Sequence, residues 1–210
     1  MTIGLVAQEL PYCVIKSHPF DIQKAREEIS QICKEGYIPV GMEVEDGAVI
    51  LVMYVKSEEA LFSNWALVAF GDFEKNEKEN ADLTEFMKAG WLPIAFSYTQ
   101  SGQYMLFLKT DVPIAGVRFA NGPENLESIE NIIKSFGEQG FYPYGMSWFN
   151  NRVWYFFLKI PTANVQGIVV KRYKNFDEGL GKDLEEMVKK GYSPWDIMVS
   201  PEWVYIVLGK

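Results

Sequence analysis

The sequence predicts an α+β protein built from four tandem βαββ units. Three observations support this: a four-residue phrase that recurs at nearly even spacing, a segment of helical periodicity before each phrase, and two apolar runs after it. We expect each unit to form a three-stranded antiparallel sheet of order 1-3-2 with one helix on one face. We also expect the units to pack as two lobes. The predicted units are residues 1–57, 58–112, 113–164 and 165–210.

The first strand of each unit is a short run rich in apolar residues, at 12–17, 65–70, 116–120 and 168–173. A segment with apolar residues at helical spacing follows each run, which predicts one apolar face of an amphipathic helix. The apolar positions are Ile22, Ala25, Ile29, Ile32 and Cys33; Leu83, Phe86 and Met87; Leu126, Ile129, Ile132, Ile133 and Phe136; and Leu180, Leu184, Met187 and Val188.

The recurring phrase is Gly, aromatic, any residue, Pro. A glycine directly after a helix supplies the left-handed residue that often ends it, and a proline two or three residues later prevents its continuation. The phrase therefore predicts the end of each helix and needs no catalytic explanation. It occurs as Gly36-Tyr37-Ile38-Pro39, Gly90-Trp91-Leu92-Pro93, Gly140-Phe141-Tyr142-Pro143 and Gly191-Tyr192-Ser193-Pro194.

Two apolar runs joined by a short polar turn follow each phrase, which is the pattern of a β-hairpin. The third strand of each unit is the most continuously apolar, which predicts a central strand with both faces covered. The helix covers one face, so the other either packs against a neighbouring unit or stays open for a ligand or partner. The turns are Glu45-Asp46-Gly47, Gln100-Ser101-Gly102, Asn150-Asn151 and Ser200-Pro201-Glu202.

These units resemble the small bacterial domains catalogued as domain of unknown function 4177. The matching residues are the Gly-aromatic pairs that begin the four phrases, and the strand ends Val55-Lys56, Leu108-Lys109 and Leu158-Lys159. The fourth copy, with Leu208-Gly209, departs from this pattern, as does the phrase proline. The resemblance covers the chain in four pieces and implies a fold but no activity.

The formal charge of −8 argues against broad binding to nucleic acid or to an anionic membrane, because both need a basic face. All of the net acidity lies in the first two units. No apolar stretch has the length of a signal peptide or a membrane span. Cys13 and Cys33 fit neither a disulfide framework nor zinc-ligand spacing. We therefore expect a cytoplasmic protein that binds neither nucleic acid nor membrane.

No catalytic constellation stands out in the chain. His18 is the single histidine, so neither a triad nor a histidine-rich metal site can be built around it alone, and we expect it in the connection before the first helix. There is no phosphate loop, dinucleotide fingerprint or calcium loop. We expect no cofactor and no resident metal.

Four basic side chains and one tryptophan of the second half are the candidate binding residues. An arginine on such a strand can clamp a phosphate or carboxylate and stack on a ring, although an exposed solubilising charge is the simpler explanation. The candidates are Arg118, Arg152, Lys171, Arg172 and Trp154.

Three hypotheses about function follow. The first is a non-enzymatic cytosolic scaffold whose pseudo-symmetric repeats bind another protein or self-associate. The second is a small-molecule binder that sequesters an anionic or nucleotide-like ligand between the third and fourth repeats. The third, an enzyme of unfamiliar type, would need a pocket with perturbed carboxylates.

Overall fold

A computed structural model describes residues 7–9, 13–45, 47–56, 65–70, 77–174 and 178–210. The predicted boundary between the first two units and the turn residue Asp46 lie outside these ranges. The elements in chain order are β1 (Ala7–Glu9), β2 (Cys13–Pro19), α1 (Ile22–Lys34), β3 (Tyr37–Glu45), β4 (Val49–Lys56), β5 (Trp65–Phe70), α2 (Glu77–Lys88), β6 (Trp91–Tyr98), β7 (Gln103–Lys109), β8 (Gly116–Pro123), α3 (Leu126–Gly137), β9 (Tyr142–Phe149), β10 (Arg152–Lys159), β11 (Ile168–Tyr173), α4 (Glu178–Lys189), β12 (Ser193–Val199) and β13 (Val204–Gly209).

Four antiparallel sheets form, one from each repeat. Their orders are β1-β2-β4-β3, β5-β7-β6, β8-β10-β9 and β11-β13-β12, so the third strand of each repeat lies between the first two. The α+β class, the four βαββ repeats and the strand order 1-3-2 are therefore confirmed. The sequence did not predict β1, which pairs antiparallel with the outer side of β2. Within the described ranges, no helix is long and apolar enough to cross a membrane.

The phrase ends each helix as predicted. Gly36, Gly90, Gly140 and Gly191 all have positive φ, between 78° and 88°. A left-handed residue here lets the chain turn sharply into the next strand. The strand that contains the phrase proline, which is β3, β6, β9 or β12, has a register shift just after that proline in every sheet, for example between Pro39 and Gly41. Such a bulge increases the local twist of the strand.

A lysine at the end of the central strand ties that strand to the preceding helix in three repeats. Lys159 Nζ donates to the Gln139 carbonyl at 3.1 Å and lies 5.6 Å from the Phe141 ring centre. Lys109 and Lys210 make the equivalent contacts with the Ala89 and Lys190 carbonyls and with the phrase aromatics of their own repeats. The fourth repeat therefore also has a lysine that makes these contacts, one residue after Gly209.

The four repeats close into a ring. The inner strands β3, β6, β9 and β12 lie around its centre, and each contacts the inner strands of the repeats on both sides, with β12 returning to β3. The expected grouping into two lobes is corrected by this arrangement, because no pair of repeats is set apart from the other pair.

Each sheet packs its helix-free face against the helix side of the preceding repeat. Leu51 and Met53 of the first repeat share a core with Leu184 of the fourth repeat, and Tyr205 and Val207 of the fourth share one with α3 of the third. Of the large apolar side chains described, Val112 alone is exposed. The apolar strand surface is thus used between repeats, which was the simpler of the two alternatives.

Candidate functional site

The predicted binding residues do not converge on one site. The guanidinium carbon of Arg118 lies 5.2 Å from the Phe141 ring centre, beyond the C-terminal end of α3. Arg172 lies 4.2 Å from the Trp203 ring centre and interacts with the Tyr205 hydroxyl, which donates to Glu124 just before α3 begins. A helix of 12 residues is about 18 Å long. The two arginines therefore lie at opposite ends of α3.

The other three candidates lie apart as well. Lys171 is 3.7 Å from Asp183 of its own repeat and, as the strand neighbour of Arg172, faces the other side of the sheet. Arg152 is exposed at the start of β10. Trp154 stacks on Tyr98 with ring centres 4.6 Å apart, so it packs between the second and third repeats. Of the five, Arg172 alone has described contacts at the junction between the third and fourth repeats.

Two polar side chains of that junction have buried donors without an acceptor. The Tyr155 hydroxyl and the Trp148 indole nitrogen are buried, and neither makes a hydrogen bond to any described residue. Trp148 pairs with Val153, and Tyr155 lies two residues further along the same strand, so the two side chains share one face of the sheet. A buried donor left unpaired costs about 1–3 kcal/mol. Both groups therefore favour a bound acceptor.

Further polar groups reach the same junction from the fourth repeat. The Tyr205 hydroxyl donates to Glu124 Oε1 at 3.3 Å and lies close enough to Tyr155 to raise the pKa of that phenol. Trp203 and Arg172 stack beside it. We define the junction site as these six residues: Glu124, Trp148, Tyr155, Arg172, Trp203 and Tyr205.

Both phenols of the junction site are neutral donors under physiological conditions. Burial raises the pKa of Tyr205 to about 12, the nearby Glu124 carboxylate raises it as well, and Arg172 opposes them. Burial and the neighbouring Tyr205 raise the pKa of Tyr155. With one guanidinium and the two unpaired donors of Tyr155 and Trp148, the junction site suits oxygen acceptors of a small anion, with aromatic rings for a planar part of the molecule.

A second polar cluster occupies the centre of the ring. Ser97 and Ser147 donate their hydroxyls to Glu43 Oε1 at 2.7 and 2.8 Å, and the Val199 amide donates to Oε2 at 3.3 Å. Each serine in turn accepts a backbone N–H, from Val44 and Tyr98. Burial raises the pKa of Glu43 to about 8, although these hydrogen bonds oppose the shift. Glu43 therefore connects all four repeats.

Asp196 lies in the same central region and is fully buried. Its Oδ2 accepts the Met146 amide at 2.5 Å, whereas Oδ1 makes no hydrogen bond of good geometry. A methyl group added at Gly41 would lie 2.9 Å from Oδ1, so the strands cross too closely for a ligand to enter. Burial raises the pKa of Asp196, with nearby Glu43 adding to the shift. We call Glu43, Ser97, Ser147 and Asp196 the axial cluster and interpret it as structural.

His18 belongs to a third buried constellation and not to a loop. It lies in β2, where Nε2 is 2.7 Å from the Tyr54 hydroxyl and Nδ1 is 2.8 Å from Glu28 Oε2. Burial lowers the pKa of His18, and the Glu28 carboxylate opposes that shift. His18 and Tyr54 are almost completely buried. Both ring nitrogens of His18 already have partners within the chain, so these hydrogen bonds serve to join α1 to its sheet.

Among the described residues, no group of three or more His, Cys, Asp or Glu side chains is arranged to hold a metal ion. Cys13 is buried and Cys33 half-buried, and both are free thiols whose pKa values are raised by burial, to about 12 and about 11. A raised pKa keeps each as a thiol, the form that is a poor ligand and a poor nucleophile.

Comparison with protein-family models gives no match, and comparison with curated proteins gives none either. The resemblance to domain of unknown function 4177 therefore stays a prediction.

Sequence reasoning missed both central carboxylates and most of the junction site. Aligning the four repeats on their phrase prolines gives a signal for the first. Two residues after the proline stand Gly41, Ala95, Gly145 and Asp196, and four residues after it stand Glu43, Ser97, Ser147 and Met198. Small or polar residues at the same strand position in several copies indicate a crowded or polar centre. No comparable signal marks Tyr155 or Trp148, which resemble ordinary core aromatics.

Proposed function

We propose that this protein is a cytosolic binding protein that holds a small anionic molecule at the junction site. The observation that carries the proposal is the Tyr155 hydroxyl, which is completely buried yet has no acceptor among the described residues. Native proteins pair nearly all such groups, so an unpaired donor next to Tyr205, which itself interacts with Arg172, supports a ligand-binding role. The proposal includes no catalytic step.

The ligand is an oxygen anion with a planar apolar part. Arg172 supplies a permanent positive charge and a flat surface that already stacks on Trp203. Tyr155 and Trp148 supply neutral donors, which can hydrogen-bond further carboxylate or phosphate oxygens. Glu124 accepts from Tyr205 and so fixes that ring at the edge of the junction site.

Native mass spectrometry of gently purified protein, followed by identification of what denaturation releases, tests this proposal. We expect a stoichiometric anionic compound. The released compound should raise the melting temperature of the empty protein, because a ligand at 100 times its Kd stabilises the folded state by about 2.7 kcal/mol.

Tyr155→Phe distinguishes a ligand site from a structural one. In the empty protein, removal of an unpaired hydroxyl should leave stability unchanged or raise it, while the thermal shift caused by the released compound should shrink. Tyr144→Phe, a half-buried phenol of β9 in a different core, is the matched control and should keep the shift. A Tyr155→Phe variant that is destabilised by 1 kcal/mol or more, with no compound found, would contradict the proposal.

A protein-binding scaffold is the second candidate function. It no longer has support from exposed apolar strand surface, since that surface is buried between repeats. It gains support from β1, which shows that the outer edge of one repeat accepts an additional antiparallel strand. Addition of a strand to a sheet edge is a common way of binding an extended peptide.

A further inference from the structure

The outer edges of the four sheets are not equivalent. In the first sheet β1 covers the edge strand β2. In the second, Arg26 of α1 donates to the backbone carbonyl of Leu67 on the edge strand β5, at 3.0 Å from Nε and 2.5 Å from Nη2. In the fourth, Lys171 and Arg172 place adjacent charges on β11. Two neighbouring charges on an edge strand discourage further pairing, whereas a single charge can pair with an opposite charge on an added strand.

The edge strand of the third sheet, β8, is the longest of the three that carry no added strand in the described part of the chain. It spans eight residues, against six for β5 and six for β11. Its single charged residue is Arg118, which is exposed. The guanidinium touches the carbonyl of Val117 and the ring of Phe141, both of its own repeat. This edge is therefore the best suited to accept a strand.

The register of β1 on β2 indicates what an added strand would bring to β8. On β4 and β10, Tyr54 and Phe157 lie opposite the phrase prolines of their repeats, so they are equivalent. Val14 pairs with Tyr54, and Arg118 pairs with Phe157. Glu9 of β1 pairs with Val14. A strand added to β8 as β1 is added to β2 would therefore carry its equivalent of residue 9 opposite Arg118.

Among the equivalent edge-strand positions of the four repeats, only Arg118 in the third repeat is charged. The equivalent edge positions in the second and fourth repeats are Ala66 and Val169, opposite Phe107 and Leu208. Opposite charges directly across an antiparallel pair contribute roughly 0.2–1 kcal/mol, and like charges there are destabilising. A carboxylate on an added strand would therefore be favoured opposite Arg118 in the third repeat, whereas the other repeats have no charge at this position.

We propose that the β8 edge binds an extended segment of a partner protein, antiparallel to β8, with an acidic residue opposite Arg118. The inference rests on the second candidate function and is independent of the junction site. The partner segment resembles β1 in having small or polar residues followed by a carboxylate, and hydrogen bonds to the backbone of β8 hold it.

A charge exchange tests the proposal, with a fluorescent peptide of residues 1–12 of this chain as the probe. Binding to the full-length protein is followed by anisotropy, and hydrogen exchange locates the protected strand. We expect protection of β8 amides. Arg118→Glu should weaken binding about 3- to 10-fold, and a peptide carrying Glu9→Lys should recover that loss on the variant. Arg152→Glu, an equal charge change on the same sheet, should have little effect.

The outcomes distinguish binding at β8 from strand addition at another sheet edge. Protection at β2 or β11, with no effect of Arg118→Glu, would overturn the assignment to β8 and leave strand addition standing. No peptide binding at any edge would overturn both. Light scattering over a range of protein concentrations tests whether a second copy of this chain occupies β8. A dimer that Arg118→Glu dissociates would show that a second copy, and not a partner protein, occupies β8.

Discussion

Glu43 has its carboxyl group at the centre of the ring, where donors from three other repeats reach it. All three donate to it, which is the pattern that suits an ionised carboxylate. Burial nevertheless raises its pKa to about 8, so the loss of solvent outweighs the hydrogen bonds. The folded protein therefore binds this proton more tightly than the unfolded chain does.

The first prediction concerns the pH dependence of stability. Between the ordinary glutamate pKa of 4.5 and about 8, the folded state holds more protons at Glu43 than the unfolded state. The free energy of unfolding should therefore fall as the pH rises through this window, by up to about 5 kcal/mol in total. Below this window Glu43 is protonated in both the folded and the unfolded state, so it does not change the stability with pH.

Glu43→Gln should flatten that slope, and chemical denaturation at pH 5, 7 and 9 measures it. Asp196, whose pKa is also raised and which interacts with Glu43, should retain part of the pH dependence. At pH 5 the stability of the variant should be close to that of the wild type, because Glu43 is protonated in the folded state there and the neutral amide resembles a protonated carboxyl group. Parallel pH profiles for the two proteins would show that Glu43 does not titrate in this window.

At the residue scale the sequence predicted conformation better than chemistry. The left-handed glycines follow from local rules, since any helix that ends sharply before an extended strand favours them. Arg172 was found as a candidate because a charge among aromatics is visible in a sequence. Tyr155 was not, because its unusual feature is a missing acceptor, and that depends on residues far away in the chain.

At the scale of elements, α3 and the strand that follows it depend on the phrase glycine. Gly140 has φ of 78°, a conformation that L side chains rarely adopt. Gly137, the last residue of the same helix, has an ordinary φ, and a methyl group added there would meet nothing. The two glycines stand three residues apart with opposite structural roles.

The second prediction follows from that contrast. Gly140→Ala should destabilise the protein by about 1–2 kcal/mol, because alanine is strained in the left-handed region. Gly137→Ala should be neutral or stabilise it by up to about 1 kcal/mol, because alanine favours the helix. Urea denaturation of both variants measures the difference. Equal effects would mean that the phrase glycine is not needed to end the helix.

Strand order was predicted at this scale because continuous apolar sequence identifies a central strand in every repeat. The strand β1 was not, since three residues are too few to show a periodicity. The role of the strand-end lysines was also missed. Lys159 reaches a carbonyl 20 residues earlier, so the contact exists only once the helix and the hairpin are both in place.

At the scale of the whole molecule, the ring makes each repeat incomplete alone. Every sheet has one face covered by its own helix and the other by the preceding repeat, and the fourth repeat closes onto the first. Local sequence patterns describe each repeat but not its neighbour, which is why the periodicity did not indicate that the repeats close into a ring. A chain of stacked repeats would tolerate loss of its last member. A ring should not.

The third prediction is that removal of residues 165–210 abolishes the native state. The truncated chain would expose Leu51 and Met53 of the first repeat and Tyr155 of the third, which now pack against the fourth. Exposure of two apolar faces should give strong dye binding, aggregation and loss of a cooperative melting transition.

A circular permutant is the matched control, with residues 165–210 placed before residue 1 through a flexible Gly-Ser linker. It breaks the chain at the same point but keeps every contact between repeats, so it should melt cooperatively near the wild-type temperature. A truncated protein that stays monomeric and melts as sharply as the permutant would show that the contact between the fourth and first repeats is dispensable, and the ring would then be a consequence of the fold and not a requirement for it.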